Sequence, residues 1–281
     1  MSAPTPVPGA EQLAELERLA VELAIEAARL VHDERPRELG ALGARTKSSS
    51  TDVVTVMDTR AEALLHAGVL ERRPLDGLLG EEGSSVEGSS GITWVVDPID
   101  GTTNYLYDHP SYAVSVAAAV GAPPAPGWRP VAGAVCAPGL GLVWSARLGG
   151  GARRRDLRSG SETPISVGGL DRLDHALVGT GFGYAAQTRA EQALVLTRVL
   201  PAVRDIRRIG SAAIDLCLTA DGRLDAYFER GLNPWDLAAG WLVLTEAGGV
   251  VCGPAGGDPD ARLTVAGNPA LVEALLPLVD G

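Results

Sequence analysis

The sequence predicts an α+β/α/β layered sandwich made of two packed halves. Three patterns predict it: a helix with one apolar stripe near the N-terminus, a run of strands joined by turn-length links, and then strands alternating with helices. From Gln12 to His32, the residues Leu13, Leu16, Leu19, Leu23, Ala27 and Leu30 recur at helical spacing, and Pro36 stops the helix. An alternating run, Val53 to Val56, precedes a second helix expected to start near Thr59, with Thr59 and Glu62 as its capping-box pair. Strands are expected at Ile92–Val96, Ala113–Ala119, Val131–Cys136 and Leu142–Ala146, separated by Pro- and Gly-rich turns. Links that short favour an antiparallel sheet.

Gly149–Gly160 reads as a flexible seam between the halves, and Arg153-Arg154-Arg155 within it as a solvated loop. Beyond the seam, His175–Gly179 leads to a helix from about Ala185. Arg207–Ile209 leads to Ala212–Thr219, and Leu224–Glu229 to Pro234–Ala247. Strands Val250–Val251 and Leu263–Ala266 and a helix from Pro269 close the chain. Residues 1–10 are expected to be a disordered leader, 11–155 the N-terminal α+β half and 156–281 the C-terminal α/β half.

Bulk composition narrows the function. A chain of 281 residues, 46% apolar and 21% charged, has the make-up of a globular enzyme. Its net charge of −11 disfavours a nucleic-acid surface, which needs clustered Lys and Arg. Cys136, Cys217 and Cys252 are too scattered for a disulfide scaffold, and His32, His66, His109 and His175 lack zinc-ligand spacing. The Pro-rich start lacks the order of a signal peptide, and no apolar run reaches membrane-spanning length, so a reduced, cytoplasmic protein is expected. No P-loop or EF-hand calcium loop occurs, and Gly179-Thr180-Gly181-Phe182-Gly183 is mis-spaced for a dinucleotide fingerprint. Cys217 and Arg223 have cysteine-phosphatase spacing, but Cys217 sits among Ile214, Leu216 and Leu218 as a buried helical cysteine would.

The richest stretch is Trp94-Val95-Val96-Asp97-Pro98-Ile99-Asp100-Gly101-Thr102-Thr103-Asn104. Two carboxylates at the end of a strand suit a hard divalent cation, which takes oxygen ligands. The glycine and hydroxyl that follow suit an anion at a helix start. Further acids also stand at element ends: Asp58, Glu81 and Glu82 in a Gly-flanked turn, Glu229, and Asp236 in Asn233-Pro234-Trp235-Asp236. Taken singly, each has an ordinary role. Asp58 could cap its helix, Asp236 could serve the N-terminus of its own, Glu229 could be a surface charge, and the acid turns could be turns alone.

Jointly, these segments resemble the inositol monophosphatase family. Asp97-Pro-Ile-Asp-Gly-Thr102 matches the family's first signature, and Trp235-Asp236-x-Ala238-Ala239-Gly240 running to Glu246-Ala247-Gly248-Gly249 matches its second. Lys47-Ser-Ser-x-x-Asp52-x-Val54-Thr55-x-x-Asp58 and Gly80-Glu81-Glu82 match two further acid segments in the expected order. The resemblance implies an αβαβα stack like that of sugar phosphatases, in which the N-terminal half carries most metal ligands and the C-terminal half the substrate residues. It implies magnesium, two or three ions per site, held by Glu81, Asp97, the Ile99 carbonyl, Asp100 and Asp236. It implies that Thr102 and Asp58 position and deprotonate the attacking water and that Gly101 and Thr102 amides bind phosphate. Glu81 and Asp100 would also touch the substrate. Gly210, Ser211, Ala212, Glu229 and Asp236 would hold the polyol hydroxyls, with Arg207 a further contact.

The activity implied is hydrolysis of inositol 1-phosphate, with no nucleic-acid or membrane partner, in a lithium-sensitive homodimer. Ile206-Arg207-Arg208-Ile209-Gly210-Ser211-Ala212 and Asp225-Ala226-Tyr227-Phe228-Glu229 look like the bacterial inositol-1-phosphatase branch. Fructose 1,6-bisphosphate, 3′-phosphoadenosine 5′-phosphate and histidinol phosphate are the alternative substrates. A non-catalytic regulatory scaffold is the alternative from another class.

Overall fold

The computed structural model describes residues 6–36, 43–46 and 53–281. Met1–Thr5 of the expected leader, and Lys47, Ser48, Ser49 and Asp52 of one matched segment, lie outside the described residues. The chain opens with helix α1 (Ala10–Asp33), the short strands β1 (Arg45–Thr46) and β2 (Val53–Val54), and α2 (Val56–Arg72). Strands β3 (Gly77–Gly80), β4 (Ser85–Val86) and β5 (Ile92–Asp100) lead into the five-residue helix α3 (Thr102–Leu106). A meander follows: β6 (Ala113–Val120), β7 (Arg129–Ala137), β8 (Leu142–Arg147), β9 (Ala152–Asp156) and β10 (Glu162–Pro164). The rest is β11 (Leu177–Thr180), α4 (Ala186–Val199), β12 (Asp205–Arg207), α5 (Ala212–Ala220), β13 (Ala226–Glu229), α6 (Pro234–Glu246), β14 (Val250–Cys252), β15 (Thr264–Gly267) and α7 (Pro269–Val279).

These elements stack in five layers. The first sheet has the order β10-β9-β8-β7-β6-β5-β3-β4, antiparallel except where β3 runs parallel to β5. Its strands alternate between two faces, apart from register shifts at Asp97/Asp100 and Ala118/Ala119. Trp94, Val96, Val116 and Ala134 face α1 and α2, where Leu16, Leu23 and Leu65 cover them. Val95, Ala117, Val135 and Trp144 face the other way, onto Leu216, Ala239 and Val243 of α5 and α6. Those two helices also bury Tyr227 and Ala266 of the second sheet, whose order is β12-β11-β13-β15-β14. Val195, Val199, Leu271 and Leu275 of α4 and α7 close the outer face over Val178, Phe228 and Val265. The α5–α6 layer is therefore apolar nearly all round, as a helix pair between two sheets must be.

Three expectations need correction. The second helix starts at Val56 with Thr55 as its N-cap, and its capping box is Thr55 with Asp58, not Thr59 with Glu62. The alternating valines mislead because only Val53–Val54 is strand and Val56 is already the first helical residue. The Gly149–Gly160 seam holds β9, so Arg153–Arg155 is a strand paired with β8 and β10 rather than a loop. Arg153 pairs with Glu162 and Arg154 with Asp221, which gives the basic run partners inside the fold. The chain leaves the first sheet after Pro164.

Gly68 sets how closely α1 and α2 pack. A Cβ at Gly68 would sit 2.4 Å from Leu23 Cδ2, and Leu23 is fully buried. We expect Gly68→Ala to lower stability by about 1–3 kcal/mol through overpacking, and Leu23→Ala by about 2–5 kcal/mol through the cavity it leaves. In the double variant the added methyl enters that cavity, so the loss should be smaller than the sum. Urea unfolding of the four proteins measures the coupling, and strict additivity would refute it.

Candidate active site

The site is built where β5 ends. Asp97 pairs with Ser115 and Asp100 with Ala113, so three steps along β5 meet two along β6. In a regular strand, residues three apart face opposite ways; the extra residue turns Asp100 to the same face as Asp97. That face is the one shared with Val95 and covered by α5 and α6. Gly101 then adopts φ 97°, and a Cβ there would lie 3.0 Å from the Gly210 carbonyl oxygen, so glycine is required for both backbone and space. Thr102 begins α3 and points its hydroxyl back at β5 and α2.

Other elements bring the remaining acids. Small residues Ala238, Ala239 and Gly240 let α6 settle against β7 and α5, so its first turn reaches the end of β5. There Asp97, Asp100 and Asp236 each place a carboxylate oxygen within 4.8 Å of the others. Asp236 Oδ2 also accepts from Asn233 N at 2.7 Å, the capping role expected of it. Asp100 Oδ2 accepts from Ser211 Oγ at 2.6 Å and Ala213 N at 2.7 Å, at the start of α5. Asp97 Oδ1 accepts from Ile99 N at 3.0 Å, while Asp97 Oδ2 is buried with no hydrogen-bond partner. Glu81, in the turn after β3, lines the same cleft.

Asp58 combines both readings of it. Its Oδ2 accepts from Thr55 N at 2.8 Å and from Thr55 Oγ1 at 2.5 Å, which caps α2. Its Oδ1 accepts from Thr102 Oγ1 at 3.1 Å. Thr102 Oγ1 also lies 3.0 Å from the Ile99 carbonyl oxygen, and its single proton serves one acceptor at a time. Asp58 is fully buried and does not line the cleft, whereas Thr102, which donates to it, does.

The cleft, about 600 Å³, runs from these acids toward the second sheet. Gly210, Ser211, Ala212 and Glu229 line it as expected. Glu229 accepts a hydrogen bond from the Tyr227 hydroxyl, and a Cβ at Gly181 would collide with its carboxylate. That contact, not nucleotide binding, accounts for one glycine of the 179–183 run. Arg207 is the exception: it points into solvent, pairs with Asp205 at 2.6 Å and does not line the cleft, whereas Arg208 does. Arg207 ends a strand, where neighbouring side chains diverge, and the sequence alone gives no parity for the pair. Tyr184, Gln192, Arg230 and Arg262 also line the cleft and carried no sequence signal, since they come from a helix and from loops without a motif.

Burial raises the pKa of Asp58, Asp97, Asp100, Glu229 and Asp236, and neighbouring acids add to it. Asp97 is held well above the ordinary carboxylate range by burial, then by Glu81, Asp100 and Asp236. Asp236 is raised by burial, then by Asp100 and Glu81. Burial pushes Asp100 up to about 6 against the pull of Ser211 and Ala213, and Asp58 to about 6 against that of Thr55. It pushes Glu229 to about 7, against the bond from Tyr227. An orphaned carboxylate oxygen inside an all-oxygen cluster is what a hard cation would satisfy.

The family model described as "Inositol monophosphatase family" matches residues 12–280. An inositol-1-monophosphatase of Mycobacterium leprae is 45% identical over 279 residues, covering 93% of this chain and 92% of its own. The solved structure of Mycobacterium tuberculosis SuhB superposes with a TM-score of 0.79 at 42% identity, covering 94% of this chain and 95% of that one. A Vibrio cholerae relative, 35% identical over 237 residues and covering 82% of this chain and 84% of its own, is named Nus factor SuhB. A layered α/β sandwich with an acid cluster at its cleft thus defines a phosphatase of a generally metal-dependent kind. The chain belongs to the inositol monophosphatase family. Among the described residues, no helix is long and apolar enough to cross a membrane.

Because these carboxyls all have raised folded-state pKa values, their stabilising contribution is complete below about pH 4 and is lost as pH rises through their folded values. For Asp58 and Asp100 the loss is complete near pH 6, and for Glu229 near 7. The metal-free protein should therefore lose thermal stability between about pH 4 and 7. Asp97→Asn, which removes one charge and keeps the oxygen facing Ile99 N, should raise the Tm at pH 8 by about 2–6 °C. An unchanged or lowered Tm in scanning calorimetry would refute the repulsion.

Proposed function

We propose that the protein is a magnesium-dependent phosphomonoesterase that converts inositol 1-phosphate and water to inositol and phosphate. The observation that carries this is the buried, unpartnered Oδ2 of Asp97 inside a cluster of three carboxylates within 4.8 Å. Glu81, Asp97, the Ile99 carbonyl, Asp100 and Asp236 would hold two or three ions, an oxygen-only set that suits magnesium. Bound there, magnesium would neutralise cluster and phosphate and acidify a bound water.

The protein's own residues complete the reaction. Thr102 Oγ accepts a proton from the attacking water as it passes its own to Asp58 Oδ1, 3.1 Å away. The water oxygen bonds to phosphorus, the ester bond breaks, and the departing alkoxide takes a proton from solvent in the cleft. The backbone amides of Gly101 and Thr102 hold the phosphate oxygens, and no covalent phosphoenzyme is required. Farther along the cleft, Glu229 accepts from the ring hydroxyls, next to Gly210, Ser211 and Ala212. Arg208 takes the part expected of Arg207. Lithium inhibition, a homodimer and a cytoplasmic location belong to the same proposal.

The test is phosphate release from inositol 1-phosphate, fructose 1,6-bisphosphate, 3′-phosphoadenosine 5′-phosphate and histidinol phosphate, ranked by kcat/KM with and without magnesium. Inositol 1-phosphate should rank first and need magnesium. Asp97→Asn and Asp236→Asn should lose at least about a thousandfold in kcat while remaining folded. The second reading, a regulatory scaffold, is favoured by the Nus factor name of the Vibrio cholerae relative. Magnesium binding with no phosphate release from any substrate would establish it instead.

Glu229→Gln separates the two ends of the cleft. It should raise KM for inositol 1-phosphate about tenfold, the loss of one charged hydrogen bond. Hydrolysis of p-nitrophenyl phosphate, which has no ring hydroxyls, should be unchanged. Equal losses on both substrates would remove Glu229 from polyol recognition.

A further inference from the structure

We infer that Glu62 is a positioning residue for the metal site: it holds the turn that carries Glu81. The inference rests on Glu81 being a metal ligand. Glu62 follows Asp58 by one helical turn on α2, so the two project from the same face. It is 3% exposed, and both carboxylate oxygens are engaged by the backbone of one turn. Oε2 accepts from Glu82 N at 2.7 Å and Oε1 from Ser84 N at 2.9 Å. The first belongs to the residue after Glu81 and the second to the last residue of the turn between β3 and β4. On the other side, a Cβ at Gly80 would lie 2.5 Å from Glu62 Oε2, so the glycine before Glu81 admits the carboxylate. The turn is also closed by Gly80 N donating to the Ser84 carbonyl at 2.7 Å.

A carboxylate that grips two backbone amides fixes a loop in a way a side-chain ion pair does not. Glu17 on α1 shows the contrast. It is also buried, but it bonds Ser145 Oγ at 3.0 Å and Arg147 in the first sheet, and none of the three lines the cleft. Through Glu62 and Asp58, α2 holds two walls of the site at once, the Glu81 turn and the Thr102 hydroxyl. Partners behind metal ligands are worth about 10–100-fold in metal affinity.

The experiment is magnesium titration of the metal-free full-length protein by calorimetry, with the magnesium-induced rise in Tm as a second reading. Glu62→Gln replaces one acceptor with an NH₂ group that faces a backbone N–H, and should weaken magnesium binding about tenfold. Gly80→Ala reaches the same contact from the turn side, should act alike, and decides the matter if Glu62→Gln does not fold. Glu17→Gln should lower the Tm without changing magnesium affinity. Wild-type affinity in both Glu62→Gln and Gly80→Ala would overturn the inference, even if their Tm falls. Glu81→Gln, measured in parallel, tells the failures apart: if it also binds magnesium normally, the metal reading fails, and if it binds weakly while the other two do not, only the role of Glu62 fails.

Discussion

The constraint on which this structure turns is the repulsion among buried carboxylates. Two unit charges at 4.8 Å, the span of the Asp97–Asp100–Asp236 cluster, repel by about 3 kcal/mol at the effective dielectric suited to protein sites. Three such pairs outweigh most single favourable features of a domain. No apolar packing removes that term, because the acids lie where the first sheet, α5 and α6 meet. Protons or cations must remove it. The raised pKa values and the orphaned Asp97 oxygen are two consequences of one crowded arrangement.

The fold lessens the repulsion before any cation arrives, by turning helix N-termini toward the acids. Asp58 bonds the N-cap backbone of α2, Asp236 does the same at α6, and Asp100 accepts from the first turn of α5. Each N-terminus contributes about 0.3–1 kcal/mol, or up to about 2 in a partly buried setting. These amounts offset the repulsion without cancelling it. The site is thus stable enough to fold while retaining an affinity for positive charge, a balance set by helix placement rather than by any one residue.

Much of this was legible in the sequence, and for identifiable reasons. Capping chemistry is local, so Asn233, Pro234 and Asp236 marked the start of α6 correctly. Strand alternation is local too, and the major strands fell within a few residues of their observed ends. What escaped reading was parity and register. The bulge between Asp97 and Asp100 leaves no mark except Pro98, yet it alone puts both acids on one face. The choice of Arg207 over Arg208 failed for the same reason, whereas the start of α2 at Val56 was hidden by the alternating valines before it. Glu62 was noticed as a helix cap, but its true partners are 20 and 22 residues ahead, a separation no local rule reaches.

The two ends of the cleft therefore rest on different physics. The acid end depends on backbone features: a bulge, a left-handed glycine, three helix starts, and a turn gripped by Glu62. A substitution that respects those features leaves the acids in place. The far end depends on side chains from separate elements, and Gln192 ties them together. Gln192 accepts from Gly183 N at 2.8 Å and donates to the Arg230 carbonyl at 3.3 Å, which joins the wall before α4 to the loop after β13. Glu229 stands between those two segments. Under the proposed function, changes in that wall would reshape the space offered to the alcohol while the backbone features that hold Asp97, Asp100 and Asp236 stay in place. Phosphate chemistry and choice of alcohol would then rest on different parts of one cleft.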